Sequence, residues 1–133
     1  MSTVTPLDPS LRREQALLRL MAERYVPVAL RGLERSLTDG GAWLCFKALP
    51  GAGDGELVLE GRSERYTAMS LIGLTAQAAR GRSADVPIDR LLASLCAWAP
   101  TTPELGDAGL VLWLLLMRKD ARAEALATAI LAR

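Results

Sequence analysis

A pair of helices appears twice in the C-terminal half of this chain, and this repetition limits the possible fold more than any other feature. In each copy, an apolar helix is followed by a helix with a single apolar face. The first copy runs from Glu64 to about Trp98, and the second runs from about Pro103 to Arg133. Helix pairs at a period of roughly 40 residues are typical of helical repeat proteins, whose units bury their apolar faces against one another.

The composition also favours helices. Hydrophobic residues make up 50% of the chain, whereas aromatic residues make up only 5%. Most of the apolar residues are leucine and alanine, which are strong helix formers, and β-branched residues are scarce. The sequence therefore predicts an all-α protein built from antiparallel helical hairpins, with about six helices in total.

The first helices are predicted over residues 8–38. Asp8 and Pro9 have the order of a helix cap and a first-turn proline. Pro27 lacks an amide hydrogen and clashes with the preceding turn, so we expect a break there that leaves a helix pair. The side chains expected to face the core of the first helix are Leu11, Leu17, Leu18, Met21 and Tyr25.

The stretch that follows differs from the helical segments. Gly51, Gly53 and Gly55 exclude a continuous helix, and short apolar runs lie on both sides of them. We expect a short β-hairpin or an extended insertion near residues 42–61. The predicted single domain therefore has four segments, over residues 8–38, 39–63, 64–99 and 102–133.

Charge and residue usage exclude several classes of function. The net charge is +1, from 16 basic and 15 acidic residues, so we expect neither nucleic acid nor an anionic membrane as a partner. The chain has no histidine, and Cys45 and Cys96 lack a ligand spacing, so no metal or other cofactor is predicted. The longest apolar run, Ala108 to Met117, has ten residues, half of the ~20 that a membrane span needs. A cytoplasmic location is predicted.

The end of the chain is expected to have a partner. The helical pattern continues to Arg133 without a glycine, a proline or a polar cap. Terminal repeats normally carry a polar outer surface, because they otherwise expose an apolar face. We therefore expect either an N-terminal fragment of a longer protein, in which further helical repeats in cis cover the helices of residues 102–133, or a chain in which a protein partner or self-association covers them. The first alternative is favoured.

The alternation of apolar and one-faced helices over residues 64–133 resembles the α/α-toroid of terpenoid cyclases, protein prenyltransferase β-subunits and many carbohydrate-active enzymes. Gly40-Gly41-Ala42-Trp43 is similar to the turns between hairpins in those proteins. The resemblance implies a ring of hairpins, of which this chain would supply about half. The Asp-x-Asp-Asp, Asp-Asp-x-x-Asp and zinc-ligand motifs of those families do not occur in this sequence.

Acidic residues near the insertion provide candidates for catalysis. Glycosidases need two carboxyl groups on opposite sides of a sugar. The candidates are Asp54, Glu56, Glu60, Glu64 and Asp107. A solvated loop and favourable positions in the first turn of a helix explain these residues equally well.

Three further residues are candidates for ligand binding. Trp43 lies outside the strong helices and has the side chain of a sugar- or isoprenoid-stacking platform, whereas Trp98 and Trp113 are expected to pack in the core. Arg65 and Tyr66 begin an apolar helix, where a guanidinium and a hydroxyl would suit an anionic ligand. The favoured interpretation is that Tyr66 packs and that Arg65 forms an ion pair with a carboxylate such as Glu60.

The leading hypothesis is a helical-repeat domain that forms part of a larger α/α-toroid-like protein or assembly and has no complete active site of its own. Two alternatives stay open. One is a carbohydrate- or isoprenoid-processing enzyme, or a part of one, that uses the loop carboxylates. The other is a small interaction module that presents an apolar groove to a partner helix.

Overall fold

The computed structural model describes residues 9–38, 43–44, 47–50 and 57–133, and this part of the chain is mostly helical. It contains five helices, not the six predicted, together with two short pairs of antiparallel strands. In chain order the elements are α1 (Pro9–Glu34), β1 (Leu37–Thr38), β2 (Trp43–Leu44), β3 (Lys47–Pro50), β4 (Leu57–Glu60), α2 (Glu64–Ala78), α3 (Ile88–Trp98), α4 (Leu105–Met117) and α5 (Arg122–Leu131).

The N-terminal segment forms one helix, so the predicted helix pair over residues 8–38 is wrong. Pro9 begins α1, as expected, but Pro27 lies inside the helix without ending it. The missing amide leaves the carbonyl group of Glu23 without its helical donor. Glu23 and Pro27 both lie on the exposed side of α1, where water can replace the lost hydrogen bond.

The predicted core face of α1 is also wrong, because its side chains are exposed. Only the C-terminal end of the helix packs against the core, through Leu30 and Leu33, with Leu37 just beyond it. Every residue from 10 to 20 is exposed. The five misassigned residues and their exposed fractions are Leu11 (46%), Leu17 (57%), Leu18 (65%), Met21 (46%) and Tyr25 (57%).

The β-hairpin predicted near residues 42–61 is confirmed. Strand β3 pairs with β4 in an antiparallel register that places Lys47 opposite Glu60 and Pro50 opposite Leu57. A second, shorter pair joins β1 to β2, with Leu37 opposite Leu44. Gly61, which also contributed to this prediction, adopts a positive φ of 68° after β4. Gly51, Gly53 and Gly55, and with them Asp54 and Glu56, lie outside the described residues.

Two helical hairpins, α2–α3 and α4–α5, form the body of the domain close to their predicted bounds. The Ser63 hydroxyl caps α2 by accepting a hydrogen bond from the amide of Tyr66 at 3.2 Å. After α2, Gly81 adopts a positive φ of 73°, which suits glycine in the turn that ends the helix. The core lies between the hairpins and includes the fully buried residues Ala68, Leu71, Leu91, Leu95, Ala99, Val111, Leu114 and Leu115.

A carboxylate and a guanidinium define the turn between α4 and α5. Asp120 accepts hydrogen bonds from the amide of Arg122 at 3.0 Å and from its guanidinium at 2.9 and 2.7 Å. These bonds fix the first turn of α5, as expected for an acidic residue that caps a helix. The hydrogen bonds from the Arg122 side chain and amide hold the pKa of the Asp120 carboxyl well below its usual range.

This turn makes stability depend on pH in a defined direction. Because the pKa of Asp120 is lower in the folded state, its contribution is present above the unfolded value of about 4 and is lost as the pH falls below it. We expect the melting temperature to fall in acid, and the Asp120→Asn variant to lose part of this dependence. Thermal unfolding of both proteins from pH 7 to pH 2 measures this dependence. An equal fall in melting temperature for the wild type and the variant would contradict the role assigned to Asp120.

Candidate interaction surface

The first helix of each hairpin, α2 or α4, is buried on one side only. On α2, the buried residues Ala68, Leu71 and Leu74 follow the helical period and face the core. Tyr66 and Met69 lie on the other side and are each 51% exposed. The sequence predicts that this apolar helix is enclosed by neighbours, yet the described residues leave that side open.

Helix α4 shows the same division. Ala108, Val111 and Leu115 are fully buried, because their spacing places them on one face. The opposite side is apolar and open, and its large side chains are Leu105 (57% exposed), Trp113 (54%) and Leu116 (60%). We call Tyr66, Met69, Leu105, Trp113 and Leu116 the α2–α4 face.

An ion pair joins the starts of the two helices. The Nε atom of Arg65 lies 2.9 Å from Oδ1 of Asp107, and α2 packs directly against α4. With their N-terminal ends side by side, the helices run in the same direction. Helix α2 also packs against α3, and α4 packs against α5, so the apolar sides that stay exposed belong to two adjacent helices.

Asp107 is the more buried member of this ion pair. Its side chain is 14% exposed, whereas that of Arg65 is 59% exposed. Its Oδ1 atom is buried and accepts no aligned hydrogen bond from any described residue, although the guanidinium lies close to it. The contact is therefore electrostatic in character, and a half-exposed pair of this kind stabilises a fold by about 0–1 kcal/mol.

The other carboxylate candidates take separate positions. Glu64 begins α2, where it favours the positive end of the helix dipole, and it pairs with Arg62 at 3.3 Å. Glu60 is exposed at the end of β4. Arg65 pairs with a carboxylate, as expected, but the partner is Asp107 and not Glu60.

Two of the three tryptophans differ from the expectation, whereas Trp98 packs against the core as predicted. Trp43, the best candidate for a ligand platform, is only 8% exposed in the core, and the guanidinium of Arg62 lies 5.2 Å from its ring centroid. Trp113, predicted to pack in the core, is 54% exposed. The spacing in sequence gives only relative faces: Trp113 lies two positions from both Val111 and Leu115, on the opposite side of the helix, and the structure shows that the side of Val111 and Leu115 is the buried one.

A small cleft lies between α3, α4 and α5. Its volume is about 210 Å³, and it is lined by Cys96, Pro100, Leu115, Arg122, Ala125 and Leu126. Cys96 is a free thiol, as expected. Burial raises the pKa of this thiol, and Arg122 only partly offsets the effect. A raised pKa makes the sulfur a poor nucleophile.

Within the described ranges, no three acidic, cysteine or histidine side chains lie close enough together to bind a metal ion. None of the helices found there has the length and hydropathy needed to cross a membrane. Comparison of the chain with protein-family models, curated proteins and solved structures gave no match.

Proposed function

We propose that this chain is a helical-repeat domain that acts by packing its α2–α4 face against further helices, in cis or in trans. It would form part of a larger α/α-toroid-like protein or assembly and would have no complete active site of its own. The observation that carries this proposal is the α2–α4 face, an apolar surface on two adjacent helices that the described residues leave open.

The size of this face supports a role in binding. Five large apolar side chains, each more than half exposed, present together roughly 500 Å², which is about the size of the largest apolar patch on a typical monomer, and such patches are often functional. It includes Tyr66 and Trp113, and aromatic residues are enriched among the side chains that dominate binding energy. The ion pair between Arg65 and Asp107 joins the two helices that carry this face.

The direction of the helices supports the toroid-like arrangement. Helices α2 and α4 pack side by side with their first turns joined by the Arg65–Asp107 pair, and α3 and α5 pack against α2 and α4, respectively. A ring of hairpins needs this order, with one layer of parallel helices inside and the returning helices outside. In such a ring the α2–α4 face would lie on the inner side, where further helices or a ligand would cover it.

Photocrosslinking tests this proposal. A photoreactive phenylalanine derivative replaces Leu116 in one protein and Asp89, whose side chain is 97% exposed on α3, in a control protein. We expect crosslinks to protein in the producing cells from position 116 but not from position 89. Trp113→Glu should abolish these crosslinks and leave the circular dichroism spectrum unchanged, because the replaced side chain is exposed. Equal crosslinking from both positions would contradict the proposal.

A further inference from the structure

We propose that two copies of this chain associate through their α1 helices as an antiparallel pair. The proposal uses a surface separate from the α2–α4 face and does not rest on the proposed function. Its starting observation is a row of side chains along α1 at alternating spacings of three and four residues. The row consists of Leu11, Glu14, Leu18, Met21, Tyr25 and Val28, which we call the α1 stripe.

The spacing of the α1 stripe indicates that its partner is another helix. Apolar residues that alternate at three and four positions form the seam of a two-stranded coiled coil, in which each side chain fits between those of the facing helix. The apolar members of the stripe are between 46% and 65% exposed. No described element covers them, since α1 contacts the body only through its C-terminal end.

The N-terminal half of α1 extends away from the body. Residues 10–20 are exposed on all sides, a length of roughly 16 Å at 1.5 Å per residue. Isolated helices of fewer than about 12–15 residues are marginal in water, and most helices in proteins are stabilised by packing of an apolar face. A second helix along the stripe would supply this packing.

The charge of Glu14 in the α1 stripe favours a second copy in the antiparallel orientation over the parallel one. In a parallel pair, Glu14 would face Glu14 of the second copy, which places two like charges in the seam. In an antiparallel pair with its two-fold axis between Arg19 and Leu20, Glu14 faces Tyr25 of the second copy and lies beside Arg24. The Arg24 guanidinium is already 6.0 Å from the centroid of the Tyr25 ring, so a cation and a hydroxyl would meet the carboxylate together.

The same register pairs the rest of the stripe with apolar partners. Leu18 faces Met21 of the second copy, and Leu11 faces Val28. With Leu17 at the edge, the exposed apolar side chains present roughly 600 Å² per copy, or about 1,200 Å² in the pair, which is the lower end of the range for stable specific interfaces. The area and the charge pattern both fit a dimer of moderate affinity.

Sedimentation equilibrium of the purified chain tests the dimer. We expect a reversible monomer–dimer equilibrium that Leu18→Glu weakens by at least about tenfold. The matched control is Leu20→Glu, because Leu20 is 62% exposed on the same helix but lies off the α1 stripe. A wild-type chain that is monomeric at roughly millimolar concentration, or equal effects of the two variants, would overturn the proposal.

Charge reversal tests the register. Glu14→Arg and Arg24→Glu should each weaken the dimer, and the double variant should recover most of the lost affinity because the pair is restored with opposite polarity. If both single variants weaken the dimer and the double variant recovers none of the lost affinity, the proposed contact is overturned.

Disulfide crosslinking tests the orientation and does not depend on affinity. In a background with Cys45 and Cys96 replaced by serine, a mixture of Leu11→Cys and Val28→Cys proteins should form a crosslinked dimer. Leu11→Cys protein alone should not, because the antiparallel register separates the two copies of that position by roughly 25 Å along the axis. Crosslinking of Leu11→Cys protein alone would show a parallel pair and overturn the proposal.

Discussion

Replacement of Leu114 by alanine is expected to lower the free energy of unfolding by about 2–5 kcal/mol. Leu114 is fully buried in the core on α4. Its truncation removes three carbon atoms, Cγ and both Cδ, from the core between the two hairpins, and the cavity that remains adds to the lost transfer free energy. This change is the most destabilising of those considered for α4.

The matched control is Leu116→Ala, the same truncation two residues along the same helix. Leu116 is 60% exposed, so we expect a change within about 0.5 kcal/mol. Urea unfolding of both variants at low protein concentration measures the difference. A loss at Leu116 as large as that at Leu114 would show that the α2–α4 face is covered within the chain itself, and would remove the main support for the proposed function.

The contrast between these leucines shows how far the sequence predicts the fold. The sequence correctly places α2, α3, α4 and α5, because period, caps and breaks such as Gly81 are local signals. It does not assign the faces of α4, since leucines occur on every side and the apolar period is weak. Trp113 is misassigned for this reason.

The buried face of α1 was predicted wrongly for a different reason. A stripe of apolar side chains at helical spacing identifies a surface that needs a partner, but it does not say which element provides one. In α1 the stripe containing Leu18 and Tyr25 is exposed, and the helix contacts the core through other residues. The break expected at Pro27 is absent because a proline on the exposed side of a helix destabilises the helix less than a buried one. Water can bond the carbonyl group that has lost its amide donor.

The site depends on contacts that are distant in sequence. Arg65 and Asp107 come from different hairpins, and only the packing of α2 against α4 brings them together. Local patterns favoured Glu60, which is close to Arg65 in sequence. Residue type and spacing therefore identified Arg65 and Asp107 as candidates, whereas the tertiary fold determined their pairing.

A buried threonine joins the strand pair β1–β2 to α2. The Thr67 hydroxyl donates a hydrogen bond to the carbonyl of Ser63 at 2.6 Å and accepts one from the amide of Leu44 at 3.2 Å. Both Thr67 and Leu44 are almost fully buried. The amide of Ser63 also donates to the carbonyl of Leu44 at 3.3 Å, so both backbone groups of Leu44 are held by the start of α2.

Thr75 lies two turns along the same helix and has the opposite arrangement. Its Oγ1 atom is buried and finds no hydrogen-bond partner among the described residues. A buried hydroxyl without a partner costs free energy, because it has lost its bonds to water and gained none in exchange. Valine has nearly the shape of threonine and lacks the hydroxyl, so one substitution probes both sites.

We expect Thr67→Val to lower the free energy of unfolding by about 1–3 kcal/mol, because it leaves the amide of Leu44 buried without an acceptor. We expect Thr75→Val to be neutral or to raise the free energy of unfolding, because it removes a polar group that has no partner to lose. Urea unfolding of the two variants provides the comparison, and equal helix propensities of the substituted residues cancel between them. Because the same substitution is made at both sites, changes of opposite sign in the free energy of unfolding would reflect the different hydrogen bonding of the two threonines. Losses of the same size would refute the assigned role of Thr67.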